Sequence, residues 1–409
     1  MTSDQLIRPA GSAVSPAAPA GSQARLPLVV YALAAGTFLM LTTEFVVAGL
    51  LPEIAGDVQV RVAQAGLLIT VFAVGMVVGA PTMAVLTRRM PPRTTLMLAL
   101  LVFAGGHLVV ALGSSFVLLL AARFVTAVAT GAFWSVASVA ATRAAGPGAG
   151  ARALGLVGAG GMLANVVGVP LGAFTGQLSG WRGPFWALAA LSLAAVALIA
   201  RSVPHEARDQ QAVSLRSELA ALRSGRLWLV LAACATTTGG VLSVYSYISP
   251  LLTDRAGMAV GLVPLVLVGF GVASLIGTVY GGRLGDVAPH ATTVVVAAAT
   301  TVILLALALL STLTVPTVVL VVLLGLVGLS ANPVLTSLAV RFAGVAPTLG
   351  VAMSVSAYNL GTAVGSSIAG VTLGSSLGAT GPAVVGAVIA AITLLPAVTV
   401  ARVRRVRSA

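Results

Sequence analysis

The sequence predicts an all-α membrane protein: twelve transmembrane helices in two six-helix pseudo-repeats, with both termini cytoplasmic. Three observations predict it. Of 409 residues, 58% are hydrophobic and 8% charged, where a soluble domain carries about 25% charged residues; mean hydropathy is +1.09. Apolar runs of roughly 20 residues, the length that crosses a bilayer core, recur through the chain, six on each side of one long polar segment. Finally, eighteen of the 22 basic residues, all of them arginine, fall in loops and tails on one side of the implied membrane and only Arg61, Arg182 and Arg255 on the other, the asymmetry that marks the cytoplasmic face.

Residues 1–26 are rich in Ala, Pro, Ser and Gly and are expected to form a disordered cytoplasmic tail. The apolar run from Leu28, about 24 residues, is too long for the core of a signal peptide and fits a span. The first half, 27–203, holds spans near 28–51, 63–86, 94–112, 116–140, 153–173 and 184–203. A cytoplasmic linker, 204–226, follows; its centre fits either a short amphipathic surface helix or a plain connection. The second half, 227–400, holds spans near 227–251, 260–280, 291–312, 315–339, 350–373 and 382–400, and a basic cytoplasmic tail covers 401–409. The halves align: Ala84-Val-Leu-Thr-Arg88 follows the second span and Gly282-Arg-Leu-Gly-Asp286 the eighth, an offset of 198 residues. Transporters built from such repeats place their substrate between the halves near the bilayer midplane.

Composition excludes several chemistries. The net charge of +13 comes without a basic stripe interleaved with aromatics, so no nucleic acid is expected. With no lysine there is neither a Walker P-loop nor a Schiff-base amine. The single cysteine, Cys234, forms no internal disulfide or multi-cysteine metal site and reads as a buried apolar residue. His205 and His290 sit in loops without metal-ligand spacing, and no G-x-S-x-G or H-E-x-x-H motif occurs. No enzyme activity, cofactor or metal is expected.

Only two strongly ionisable residues lie well inside spans, Glu44 in the first and Arg123 in the fourth. A charge at a helix centre costs about 2.5–3.5 kcal/mol on insertion scales, so both are functional candidates. Each sits about seven residues from the outer end of its span, roughly 10 Å deep at 1.5 Å per residue, and they meet if the two helices are neighbours. Glu44 is expected to carry a coupling proton and Arg123 to tune it, with a static packing pair as the alternative. Polar residues in other spans are substrate-contact candidates: Trp134, Asn165, Tyr245, Tyr247, Asn332, Tyr358 and Asn359. Aromatics with a polar tip suit an amphipathic ligand, though packing and interhelical hydrogen bonding explain the same residues. His107, in the third span, fits packing or a proton relay. In the fifth span Gly160, Gly161, Gly168, Gly172 and Gly176 permit close backbone approach, and Pro170 lacks the N–H that would keep the helix straight.

These residues resemble the major facilitator superfamily. AVLTRRMPPR (84–93) occupies the place of its cytoplasmic loop signature, with Arg88, Arg89 and Arg93 as basic members. Arg88 stands where the family has an acid, and prolines replace a later glycine and basic position; GGRLGD (281–286) keeps the acid as Asp286. RFVTAVATGAFW (123–134) is similar to the arginine-led motif of the fourth helix, and the Gly168-Val-Pro170-Leu-Gly172 core to the glycine-proline motif of the antiporter branch. The opening TTEFVVAGLLPEIAGD (42–57) resembles twelve-span drug:proton antiporters, including bacterial chloramphenicol exporters and sugar-efflux permeases. The resemblance covers essentially 27–400. It implies a major facilitator fold and a proton-coupled efflux transporter for a small amphipathic compound, chloramphenicol-like antibiotics first, sugars or other metabolites second. It also implies gating roles for the loop and glycine-proline residues, protons and the lipid bilayer as partners, a monomer, and a multi-pass protein of the bacterial inner membrane. A membrane receptor or scaffold that has lost transport is the reading from another class.

Overall fold

Backbone surrounded by lipid must satisfy its N–H and C=O groups internally, and among the described residues the chain does so with helices alone. The computed structural model describes residues 26–87, 90–146, 149–204, 222–344 and 347–405. In the first half α1 (Leu28–Val46), closed by a 3-10 turn over Val47–Gly49, leads through α2 (Leu51–Asp57) and α3 (Val62–Ala65) to α4 (Leu67–Leu86). Next come α5 (Pro92–Leu112), α6 (Phe116–Ala145), the paired segments α7 (Gly150–Leu163) and α8 (Val169–Ser179), and α9 (Gly183–Ser202). The second half comprises α10 (Gly225–Tyr245), short α11 (Ile248–Pro250), α12 (Val263–Val287) and α13 (Pro289–Leu310). It continues with the paired α14 (Thr314–Gly328) and α15 (Asn332–Ala343), then α16 (Pro347–Leu373) and α17 (Gly381–Arg405). Ser224 caps α10 by accepting the Leu227 N–H. Most of the 204–226 connection, with residues 1–25 and 406–409, lies outside the described residues.

Eleven of these stretches are long and apolar enough to cross a membrane. The expected span at 350–373 corresponds to α16, which has the length, 27 residues, but falls short in hydropathy because Ser, Thr, Asn and Gly interrupt it. The pairings of the first half recur in the second: α1 with α7 as α10 with α16, α4 with α6 as α12 with α14, and α5 with α9 as α13 with α17.

Two spans expected as single helices are interrupted, and one of them, the fifth, is already expected from sequence to bend at Pro170. The fifth is interrupted by a wide π turn, Ala164–Gly168, where the Val169 N–H reaches back to Ala164 O. Pro170 follows; without an N–H it leaves the carbonyl four residues earlier unbonded, the slack in which such a turn forms. The tenth, expected as one helix over 315–339, breaks between α14 and α15. Pro333 again lacks the N–H, so Leu329 O takes the Asn332 N–H at 3.1 Å. The seventh ends earlier than expected, at Tyr245 rather than near 251.

The cores show how the halves meet. At the arginine-poor end one cluster runs through both halves, joining Phe45, Leu51, Ile69 and Phe185 with Tyr245, Leu252, Leu267 and Ala387. At the arginine-rich end the cores separate: Leu33, Phe103, Phe133 and Ile199 belong to the first half alone, and Leu227, Val334, Leu338 and Val400 to the second alone. Polar contacts reinforce the shared end. Thr70 Oγ1 and Ser366 Oγ lie 2.8 Å apart, and Gln177 Nε2 donates to Val260 O at 2.8 Å. Tyr247 is 1% exposed; its hydroxyl donates to Ser366 O at 3.1 Å, and its ring tip fills a notch that a side chain at Gly66 or Gly370 would occupy.

Candidate functional site

The site starts from the end of α1. Thr43 and Glu44 fall among the last four residues of that helix, whose carbonyls have no intrahelical partner. Arg123, on α6 and 1% exposed, supplies the donors. Its Nη1 donates to Thr43 O (3.0 Å) and Thr43 Oγ1 (2.8 Å), and its Nη2 to Glu44 O (3.2 Å). Its Nε donates to Leu68 O on α4 (3.3 Å), and the guanidinium lies over the Phe72 ring, 4.3 Å from the centroid. One buried cation thereby ties three helices together at a helix C-terminus, where positive charge is favourable.

Thr43 extends the network to α5. Its hydroxyl lies 2.7 Å from His107 Nε2, and His107 Nδ1 lies 2.7 Å from Phe103 O. A carbonyl can only accept, so in the neutral imidazole Nδ1 carries the proton and Nε2 accepts from Thr43. The chain of donors runs from Arg123 to Thr43 to His107 to Phe103. His107 is buried at 1% exposure between the Phe103 and Phe185 rings.

The sequence places Glu44 and Arg123 at equal depth, to meet if their two helices are neighbours. The helices do meet, but the guanidinium grips the main chain of Glu44. Among the described residues the Glu44 carboxylate makes no hydrogen bond or ion pair. It is half-buried and within electrostatic reach of Arg123 on one side and of Tyr245, in the other half, on the other. Its neighbour Phe45 packs edge-on against the Tyr245 ring (5.5 Å, 84°), which in turn stacks on Phe270 at 4.5 Å.

The remaining candidates divide into groups. Trp134 and Asn165 are half-buried on the first half; Asn165 sits on the π turn, whose backbone packs against Gly271 of α12. On the second half the Tyr358 hydroxyl donates to Asn332 O at 2.7 Å and pairs with Thr336 Oγ1 at 2.9 Å. This bond sits at the break in the tenth span. Asn332 Oδ1 and Asn359 Oδ1 are buried without a partner, while Asn359 Nδ2 donates to Val355 O at 3.0 Å. Cys234 is buried beside Tyr358 and Ser354. Tyr245 and Tyr247 are buried at 2% and 1% exposure in the shared core, so in this conformation they belong to the seal between the halves.

Of the motif residues, Arg88 and Arg89 lie outside the described residues. Arg93 is half-buried in the first turn of α5, and Asp286 is exposed near the end of α12. A side chain at Gly168 would strike Thr42, and one at Gly172 would strike Val46, so these glycines set the distance between α8 and α1. Sequence reasoning does not single out Thr43, a neutral residue in a polar pair, or Glu53, although both lie in the 42–57 stretch. Glu53 lies on α2, outside the span, with Oε2 buried and unpartnered; burial pushes its carboxyl pKa up.

The family model of the Major Facilitator Superfamily matches residues 33–355. A chloramphenicol resistance protein of Streptomyces lividans is 36% identical over 375 residues, 91% of this chain and 96% of that protein. The inner membrane transport protein YdhP of Escherichia coli (strain K12) is 32% identical over 364 residues, 89% and 93% of the two chains. Among solved structures, a D-xylose-proton symporter has a TM-score of 0.76 at 15% identity, covering 90% of this chain and 96% of that one. A bacterial homologue of the human lysosomal transporter Spinster, inward-facing and unoccupied, has a TM-score of 0.72 at 16% identity, covering 93% and 96%. These last two share the fold. The chain is a multi-pass membrane protein and belongs to the major facilitator superfamily.

Proposed function

We propose that the protein exports a small amphipathic compound in exchange for protons, with Glu44 as the proton carrier. The observation that carries this reading is the setting of that carboxylate. It is half-buried, without a hydrogen bond among the described residues, held near a fixed buried cation, and one residue from Phe45, which touches the other half. A ligand or proton shifts a conformational equilibrium only when its affinity differs between the two states. Rocking the halves apart at the arginine-poor end separates Phe45 from Tyr245 and alters the surroundings of Glu44, so proton affinity and access change together. Arg123 stays anchored to the main chain, providing a constant field against which the carboxylate titrates.

In this reading the arginine-rich end is cytoplasmic, α16 is the eleventh of twelve spans, and both termini lie inside, as the arginine distribution supports. The conformation is then sealed outside and split inside. Trp134, Asn165, Asn332, Tyr358 and Asn359 then meet the substrate; the unpartnered amide oxygens of Asn332 and Asn359 supply acceptors that a ligand donor satisfies. Kinship with a chloramphenicol resistance protein makes chloramphenicol-like antibiotics the first substrate class to test.

The test is addition of compounds to inverted vesicles that hold an imposed pH gradient. Proton-coupled export predicts that a transported compound dissipates the gradient in protein-containing vesicles only. Chloramphenicol without effect but a sugar or metabolite active would reassign the substrate. No response across a broad panel would favour a membrane scaffold and reject transport.

A further inference from the structure

Four helix ends converge at the arginine-rich end of the second half: the starts of α10 and α13 and the ends of α15 and α17. Between them lies a cavity of about 150 Å³ lined by Arg226, His290, Arg341, Phe342 and Val400. Among the described residues, neither Arg226 nor Arg341 makes an ion pair or a side-chain hydrogen bond. The one described acid nearby, Asp286, lines an adjoining cavity of about 280 Å³ with Arg341, and the two form no ion pair. Two arginines lining one small space repel each other and present donors with no acceptor among the described residues. The group that best relieves both conditions is an anion with several oxygens, and phosphate matches the guanidinium fork bidentately.

Position selects the source of that phosphate. Trp228, two residues along α10 from Arg226, is 52% exposed and donates its indole N–H to Leu222 O at 2.8 Å. Exposed tryptophans of membrane proteins settle at headgroup depth. Leu284 on α12 and Val295 on α13 continue the outer surface as exposed apolar side chains, 61% and 63% exposed, and Phe342 and Val400 give the cavity an apolar wall. Basic pockets between membrane helices are a known form of headgroup site. We infer that this cavity holds the phosphate of an anionic phospholipid, with Arg226 and Arg341 as its principal ligands and the acyl chains lying along α12 and α13. The inference rests on the chain's being a membrane protein and not on proton-coupled export, so the two fail separately.

The test combines two measurements. Wild-type protein in nanodiscs is photolabelled with phosphatidylglycerol carrying a photoreactive headgroup; the expected labelled peptides contain positions 226, 290 or 341, and labelling spread without enrichment there would overturn the site. Native mass spectrometry then titrates phosphatidylglycerol against the Arg226→Gln/Arg341→Gln protein, which is expected to bind at least tenfold more weakly than wild type. Arg143→Gln, at the corresponding end of the fourth span, should bind like wild type. Retained affinity in the double variant overturns the assignment. If millimolar inorganic phosphate alone occupies the wild-type site and displaces the lipid, the site takes free phosphate and the lipid is rejected. The photolabelling uses wild-type protein, so a double variant that does not fold leaves the question decidable.

Discussion

Replacing Thr43 by valine keeps the shape of the side chain and removes only the hydroxyl that links Arg123 to His107. Two contacts are lost: the bond accepted from the Arg123 guanidinium at 2.8 Å and the one made to His107 Nε2 at 2.7 Å. The first involves a charged group, worth about 1.5–3 kcal/mol; the second is a neutral bond worth about 0.5–1.5 kcal/mol, and its loss strands a buried ring nitrogen. Thr43→Val should therefore destabilise the protein by roughly 2–4 kcal/mol, while Thr43→Ser, which retains the hydroxyl, should cost under about 1 kcal/mol. The assay is reversible unfolding in mixed micelles, run as a double-mutant cycle with His107→Gln. Because the partners share one hydrogen bond, the cycle should return a coupling of about 0.5–1.5 kcal/mol. Additivity within about 0.5 kcal/mol would refute the relay.

Gly172→Val places branched carbons where Val46 of α1 already lies; the expected loss is about 1–3 kcal/mol, read as a lower melting temperature in detergent, and an unchanged melt would contradict the close approach of α1 and α8. Glu53 has a folded-state pKa raised above 4.5 by burial. The native state therefore binds the proton more tightly than the unfolded chain, and the stability this contributes is complete below pH 4.5 and lost as pH rises through the folded value. Glu53→Gln should remove that decline, leaving the variant more stable than wild type at neutral pH and the two alike in acid; parallel stability profiles would exclude a buried carboxyl.

The spans were legible because lipid imposes length and apolarity on each one, and Glu44 and Arg123 were legible because a charge inside such a run is costly and rare. What failed to show has identifiable physics. The π turn at 164–168 and the break before Asn332 depend on how a proline's missing N–H is accommodated, by a wide turn in one span and a tight one in the other, which residue type alone does not decide. Helix α16, expected as a span over 350–373, is the least apolar of them because its Ser, Thr and Gly residues face other helices: Ser354, Thr362 and Ser366 are all buried. His107 reads first as a packing histidine until Thr43 is placed beside it. Most informative is the arginine itself. Two opposite charges at one depth allowed a side-chain pair, yet the carbonyls left without helical partners at the end of α1, Thr43 O and Glu44 O, take the guanidinium instead. That outcome leaves the Glu44 carboxylate without an ion pair among the described residues, the condition the proposed proton exchange requires.

The most direct measurement compares two modes of transport by Glu44→Gln protein in proteoliposomes. Exchange of labelled for unlabelled substrate at equal pH needs only the rocking of the halves, whereas uphill accumulation needs the proton. The account predicts that the variant keeps exchange and loses accumulation driven by a pH gradient. Accumulation at the wild-type level would contradict the assignment of the coupling proton to this carboxylate.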